Sequence, residues 1–194
     1  MAFRLFKRGL KKYEQILRAK PFTTTITTNA IIVGLGEVLK QYIVKYNSTQ
    51  EERLEWKFNT QHLNTMLIYG VGYSCLFSYH WYTNFLPRLT QSKDPSKIKM
   101  TLKKTFLDQT VNSGLADSTF LYFMTRLNGG DHDDAIEKHK KDFLRIFIMD
   151  QKVWIIVQLF NFYYIPIRYQ IFVVSIISVF WSAYLSFVQH VEEV

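Results

Sequence analysis

The spacing of charged residues is the most informative pattern along this chain. Residues 62–87 contain no Asp, Glu, Lys or Arg over 26 positions, and residues 169–191 contain none over 23. Both runs are rich in Phe, Tyr, Trp, Leu, Ile and Val. A helix that crosses the hydrocarbon core of a bilayer needs roughly 20 residues, since each adds about 1.5 Å. The two runs therefore predict membrane-spanning helices.

Two further segments have the length of a span but carry ionisable groups. Residues 22–44 begin with a Thr-rich stretch and include Glu37, and residues 106–125 include Asp108 and Asp117. Charges inside a bilayer are costly, so these groups are expected to face other helices or a wet cavity rather than lipid. Both segments are predicted to span.

The segment before Pro166 is harder to place. A helix is predicted over residues 135–164, because the proline cannot continue it. Asp150 and Lys152 fall in its middle and make it a poor lipid-facing span. We therefore expect residues 146–165 to lie partly in the membrane interface, which leaves four spans. The alternative is that they cross fully, which would make five spans and place the C-terminus on the other side.

These patterns predict an all-α protein, a polytopic membrane helical bundle of about four transmembrane helices. A basic amphipathic N-terminal helix and an interfacial helix accompany the bundle. The predicted spans are residues 22–44, 62–86, 106–125 and 169–188. The N-terminal helix takes residues 1–20, and a single bundle domain takes residues 21–191.

The N-terminal helix is strongly basic. Residues 1–20 hold seven basic side chains and one acid, Glu14. Apolar residues recur there at helical spacing, while basic residues fill the other faces. The basic residues proposed to contact a membrane surface are Arg4, Lys7, Arg8, Lys11 and Lys12. Such a helix suits an anionic phospholipid surface and is also typical of a mitochondrial targeting element.

The connecting segments alternate in charge. Residues 45–61 are neutral, residues 88–104 hold six basic side chains and one acid, and residues 126–142 hold four basic and five acidic ones. Basic loops gather on one side of a membrane. The N-terminus and the second loop are therefore expected on one side, with the other two loops opposite.

Composition excludes several classes of chemistry. The chain has 194 residues, a net charge of +8 and a mean hydropathy of −0.05, an average that hides the uncharged runs. Its single cysteine, Cys75, excludes an internal disulfide and a multi-cysteine metal site. The glycines at 34–36 lack the spacing of a phosphate loop. The acidic segment 131–139 is interpreted as a solvated loop and helix cap. We expect no enzymatic activity, cofactor or metal.

Small residues form stripes along three predicted spans. The stripes are Thr23, Thr27, Ala30, Gly34, Glu37 and Gln41 in the first span, Gly70, Ser74 and Ser78 in the second, and Ser175, Ser178, Ser182 and Ser186 in the last. Small residues let helix backbones approach closely inside lipid, where water cannot drive helices together. The stripes predict a tightly packed bundle.

Polar residues within the spans are the candidate site. They are predicted to pack helices together or to line a solute path: Glu37, Gln41, Asp108, Asn112, Asp117, Gln158, Asn161 and Arg168. Gln158 and Asn161 are expected to bond a neighbouring helix or the backbone freed by Pro166. Arg168 is expected to pair with a carboxylate such as Glu37, Asp108 or Asp117, or with phosphate.

With these residues in view, the chain resembles the twenty-two-kilodalton peroxisomal membrane protein family, also called the Mpv-seventeen family. The matching positions are Tyr13, Leu17 and Pro21; Gly36, Glu37 and Gln41; Trp81 and Tyr82; Asp108 and Gln109; Trp154, Gln158, Asn161, Phe162, Pro166 and Arg168; and Trp181 to Ser186. The chain departs from the family pattern at Cys75, Leu76, Tyr79 and Ile155. The resemblance implies a small integral protein of mitochondrial inner or peroxisomal membranes with four spans. It also implies links to channel activity, mitochondrial DNA maintenance or ribosome assembly.

Three functions remain open from the sequence. The favoured hypothesis is a structural or accessory subunit packed among other membrane protein subunits of the mitochondrial inner membrane, with a peroxisomal membrane as the alternative location. The second is a free-standing channel for small solutes. A weaker third is a membrane tether for the mitochondrial ribosome. Nucleic-acid binding is not expected, because the basic second loop lacks interleaved aromatic residues for base stacking.

Overall fold

The computed structural model describes residues 2–91 and 96–192, and side chains within residues 7–9, 11–91 and 96–181. Every element in that part of the chain is helical, which confirms the all-α prediction. The first three helices are α1 (Ala2–Ala19), α2 (Pro21–Asn47) and α3 (Gln50–Glu55). Helix α4 runs from Thr60 to Leu89, and its first and last α-helical segments are Thr60–Tyr73 and Leu86–Leu89. Helix α5 runs from Lys97 to Leu127, and its first and last α-helical segments are Lys97–Leu107 and Ser113–Leu127. The last two are α6 (His132–Tyr164) and α7 (Ile167–Glu192).

Helices α1 and α2 divide where the sequence predicts, at residue 20. Pro21 opens α2, where its fixed φ and missing N–H are tolerated. Helix α1 folds against α2: Leu17 is buried, and the Tyr13 hydroxyl lies 3.3 Å from the Thr28 hydroxyl. Lys7, Arg8, Lys11 and Lys12 are exposed, and the side chain of Arg4 lies outside the described residues.

Helices α4 and α5 leave α-helical geometry where they meet. Helix α4 contains π-helical turns at Ser74–Ser78 and Trp81–Phe85, and α5 contains one at Asp108–Asn112. A π-helical turn inserts an extra residue and re-aims the side chains around it. A hydrogen bond from Trp81 to Asp108 joins two of these turns. The irregular geometry therefore coincides with the buried polar contacts.

Helix α6 is one unbroken helix of 33 residues, roughly 50 Å long. It begins with a capping box in which Asp131 and Asp134 each accept the other's backbone N–H at 2.9 Å. It ends at Tyr164, before Pro166, as expected. The single helix predicted over residues 135–164 is thus confirmed, and residues 146–165, predicted to lie partly in the membrane interface, form its second half and pack along α5.

The helices run alternately up and down. Gly70 of α4 lies against Val33 of α2 and Gly34 against Leu67, so those helices are antiparallel. Helix α7 runs parallel to α2, because Ser175 contacts Asn29 and Val179 contacts Gly36. One end of the bundle thus gathers α1, the end of α4, the start of α5 and the turn between α6 and α7. This end is the basic one, as the loop charges predict, and we call it the basic end.

By length and composition alone, one described helix is apolar enough to cross a membrane: α2, with a mean hydropathy of 1.3 in its best window. Residues Ile167–Trp181 form a shorter apolar stretch in the described part. The structure therefore confirms that the predicted spans are helical, but not that there are four of them.

Close helix contact at Gly36 gives a first prediction. A Cβ atom there would lie 2.7 Å from Val179 Cγ2, so Gly36→Ala should push α2 and α7 apart. We expect the free energy of unfolding in mild detergent to fall by about 1–2 kcal/mol. Gly72→Ala is the matched control, because nothing lies within 4 Å of its added Cβ. An equal response of both variants would contradict close packing at Gly36.

Candidate functional site

The most buried ionisable group in the bundle is Asp108. Its side chain is 1% exposed, and its Oδ1 accepts hydrogen bonds from Trp81 Nε1 at 2.7 Å and from Asn112 Nδ2 at 3.0 Å. The Tyr73 hydroxyl donates to Asn112 Oδ1 at 3.0 Å. Buried polar groups are costly unless they are bonded. Asp108 and Asn112 thus tie α5 to α4.

The opposite face of α5 meets α6. Gln151 of α6 donates weakly to Ser113 Oγ at 3.3 Å, and Asp117, 8% exposed, lies close to the carboxyl group of Asp150. Helix α5 therefore buries both of its polar faces against neighbours, as expected for a central helix.

Gln158 and Asn161 bond across the helix break at Pro166. Gln158 Nε2 donates to the Tyr82 hydroxyl at 2.7 Å, and Asn161 Nδ2 donates to Gln158 Oε1 at 2.9 Å. Gln170 Nε2 then donates to the carbonyl of Ile165 at 3.0 Å, which caps the broken end of α6. Gln158 therefore bonds a neighbouring helix, α4, and Asn161 bonds Gln158 on its own helix.

Glu37 and Gln41 lie at the other end of the bundle from α1. Glu37, 4% exposed, accepts from Gln41 Nε2 at 3.0 Å and lies 2.8 Å from His62 Nδ1. The Gln41 amide also bonds the backbone of Asn59, just before α4. This cluster fixes the end of α2 to the start of α4.

Arg168 does not pair with Glu37, Asp108 or Asp117. It lies exposed at the basic end, where its Nη1 is 3.6 Å from Glu14 Oε1. Glu14 is bound more closely by Arg18, whose hydrogen bond and charge hold the pKa of the Glu14 carboxyl below its usual value. The prediction that Arg168 pairs with one of these three carboxylates is wrong, because α1 folds back and places the carboxylate of Glu14 nearer to it.

One buried junction was missed from the sequence. Asn29 Nδ2 donates to Ser74 Oγ at 2.5 Å, and Ser175 Oγ donates to Asn29 Oδ1 at 2.6 Å. The three residues join α2, α4 and α7. Ser74 and Ser175 belong to the predicted stripes. The sequence feature that could have indicated the junction is Asn29, a single amide side chain beside Ala30 in an apolar run. The side chains of Ser182 and Ser186 lie outside the described residues.

Large apolar side chains cover the outer faces of the helices, in contrast to this interior. Exposed examples are Leu35, Ile68, Leu76, Phe106 and Phe180. Polar groups that bond one another inside, beneath apolar outer faces, are the arrangement that a bilayer favours. The fold and its polar clusters define the class: an all-helical integral membrane protein.

Known proteins agree with this class. A model of the Mpv17 / PMP22 family matches residues 125–186. The mitochondrial inner membrane protein Mpv17 of Rattus norvegicus is 30% identical over 181 residues, 93% of this chain and 97% of the relative. Its Bos taurus counterpart is 31% identical over the same shares, and peroxisomal membrane protein 2 of Bos taurus is 28% identical over 93% and 89%. No solved structure matches.

The chain belongs to the Mpv17/PMP22 family. The resemblance stated from its motifs is thereby confirmed. The predicted location, a mitochondrial inner membrane with a peroxisomal membrane as alternative, agrees with the names of these relatives.

Proposed function

We propose that this protein is a non-enzymatic structural or accessory subunit of the mitochondrial inner membrane, packed within a larger assembly. The names of its relatives and its basic amphipathic α1 support the mitochondrion, and the peroxisomal relative keeps the peroxisomal membrane as the alternative. Its partners are other membrane protein subunits and the bilayer. Anionic phospholipid would meet the exposed Lys7, Arg8, Lys11 and Lys12 of α1.

The observation that carries this proposal is the separation of the polar clusters. A channel through one copy needs its polar residues along a continuous wet path. Glu37 instead bonds His62 at one end, Asp108 bonds Trp81 inside, and Arg168 lies outside beside Glu14. Helix packing takes up only part of the bonding capacity of these groups, because buried atoms such as Glu37 Oε2 and Asp117 Oδ2 have no hydrogen-bond partner among the described residues.

The space beside Asn29 and Ser175 is small. A cavity of about 10 Å³ lies between α1, α2 and α7, lined by Tyr13, Asn29, Arg168 and Ser175 among others. That volume holds roughly one water molecule. It supports a packed interior at this point in the bundle rather than a solute passage.

The size of the native particle tests the proposal. Mitochondrial membranes would be extracted with mild detergent and resolved by native electrophoresis, with the chain detected by a tag. We expect migration in a complex far larger than the 23.1 kDa chain plus its detergent. Migration as a small particle, or as a few copies of the chain alone, would contradict the accessory role and favour the channel hypothesis.

A further inference from the structure

A single lysine interrupts the apolar outer face of α6. Lys152 is exposed, and the side chains one turn before and after it are exposed too: Ile148 (50%), Met149 (47%), Ile155 (41%) and Ile156 (69%). We call these five residues the α6 patch. Unlike the charges near the start of α6, Lys152 is surrounded on its helix face by large apolar groups.

The α6 patch lies at the middle depth of the bundle. The neighbouring residue Gln151 reaches Ser113, and Phe147 lies beside Gly114, both at the centre of α5. Asp117 and Asp150 meet at the same level. Arg145, also exposed, lies two turns before Lys152 on the same helix face. If α6 crosses a hydrocarbon core of roughly 30 Å centred at this level, Lys152 lies about 15 Å from either surface, farther than an extended lysine side chain reaches.

Lys152 facing lipid would be expensive. A charge at mid-membrane costs about 2.5–3.5 kcal/mol on insertion scales. No acidic side chain of the described residues forms an ion pair with Lys152. Asp150, two residues earlier, lies near Asp117 on the inner side of the helix. The counter-charge must therefore come from outside this chain.

A second copy does not supply that charge. At this depth the outer faces of α2, α4, α5 and the described part of α7 expose apolar residues such as Leu35, Ile68, Leu115 and Phe180, with no carboxylate among them. Two copies meeting through α6 would place like charges together. A water-filled lumen between copies is also a poor fit, since four large apolar side chains surround the single amine.

We propose that the α6 patch is a docking surface for a transmembrane helix of a different protein, one that carries a carboxylate opposite Lys152. The four apolar side chains would pack against that helix, and the buried ion pair would fix its register. This inference rests on the proposed accessory role and names the surface through which the protein joins its assembly.

Three full-length variants test the patch by native size in mitochondria. Lys152→Leu removes the charge and should reduce recovery of the large complex by about tenfold or more, because it leaves the partner's carboxylate buried and unpaired. Lys152→Arg keeps the charge and should retain the complex. Lys141→Leu, an exposed lysine near the start of the same helix, is the matched control and should also retain it.

A cross-link identifies the occupant. Dicyclohexylcarbodiimide enters membranes and joins an amine to a carboxyl group in direct contact. In the wild-type protein we expect an amide between Lys152 and an Asp or Glu of another protein, found by peptide mass spectrometry. Lys152→Arg should keep the complex but lose this link, since arginine forms no such amide.

The outcomes separate this proposal from the accessory role. A wild-type protein that migrates as a small particle overturns both. A large wild-type complex that survives Lys152→Leu, or that Lys141→Leu disrupts equally, overturns the α6 patch alone. A cross-link between tagged and untagged copies of this chain would overturn the choice of a different protein. Unchanged thermal unfolding of Lys152→Leu in detergent excludes misfolding as the cause.

Discussion

Replacing Trp81 with alanine is expected to lower the free energy of unfolding in mild detergent by about 3–5 kcal/mol. Trp81 is 4% exposed, packs with Tyr82, Leu86 and Phe162, and gives Asp108 its shortest hydrogen bond. The variant would leave a large cavity and remove a donor from a buried carboxyl group. Denaturant titration of the purified protein would measure the loss.

Trp81→Phe separates the two causes. The smaller ring keeps most of the packing but cannot donate to Asp108, so its cost should be about 1–3 kcal/mol, below that of alanine. If Trp81→Phe were as stable as the wild type, the hydrogen bond between Trp81 and Asp108 would contribute nothing. The joint between the two π-helical turns would then depend on packing alone.

Asn29→Ala should have the next largest effect. Asn29 bonds Ser74 and Ser175 from two different helices, and each interhelical bond in a membrane contributes up to about 1.7 kcal/mol. We expect a loss of about 2–3 kcal/mol, measured as above. Asn64→Ala is the control, because Asn64 is exposed on α4. Equal stability of the two variants would contradict a three-helix junction at Asn29.

Local features of the fold could be predicted from the sequence because each depends on a few neighbouring residues. Pro21 and Pro166 mark helix boundaries through their missing N–H groups. Gln158 and Asn161 are one turn apart, so their mutual bond follows from helical spacing. The stripe through Gly34 predicts close contact between helices, although the closest approach lies at Gly36, outside the stripe.

Other features depend on the three-dimensional arrangement. Arg168 meets Glu14 only because α1 folds back onto the basic end, and no local pattern encodes that fold. The junction at Asn29 needs two helices distant in sequence. The helix over residues 135–164 was predicted nearly in full, but Asp150 and Lys152 were assumed to face one environment. Asp150 instead faces inward to Asp117, while Lys152 faces outward.

The proposed role of the α6 patch requires that α6 crosses the membrane with the other long helices. Cysteine labelling tests this crossing most directly. In a Cys75→Ser background, single cysteines would replace Lys99, Asn128 and Arg168 in turn. A membrane-impermeant maleimide would then be added to mitoplasts and to inverted vesicles. Lys99 lies at the basic end, Asn128 lies between α5 and α6, and Arg168 follows α6.

We predict that positions 99 and 168 react from the same side and position 128 from the opposite side, because α5 and α6 each cross once. Reaction of position 168 from the side of position 128 would contradict the account. Helix α6 would then lie in the interface, and Lys152 would need no partner helix.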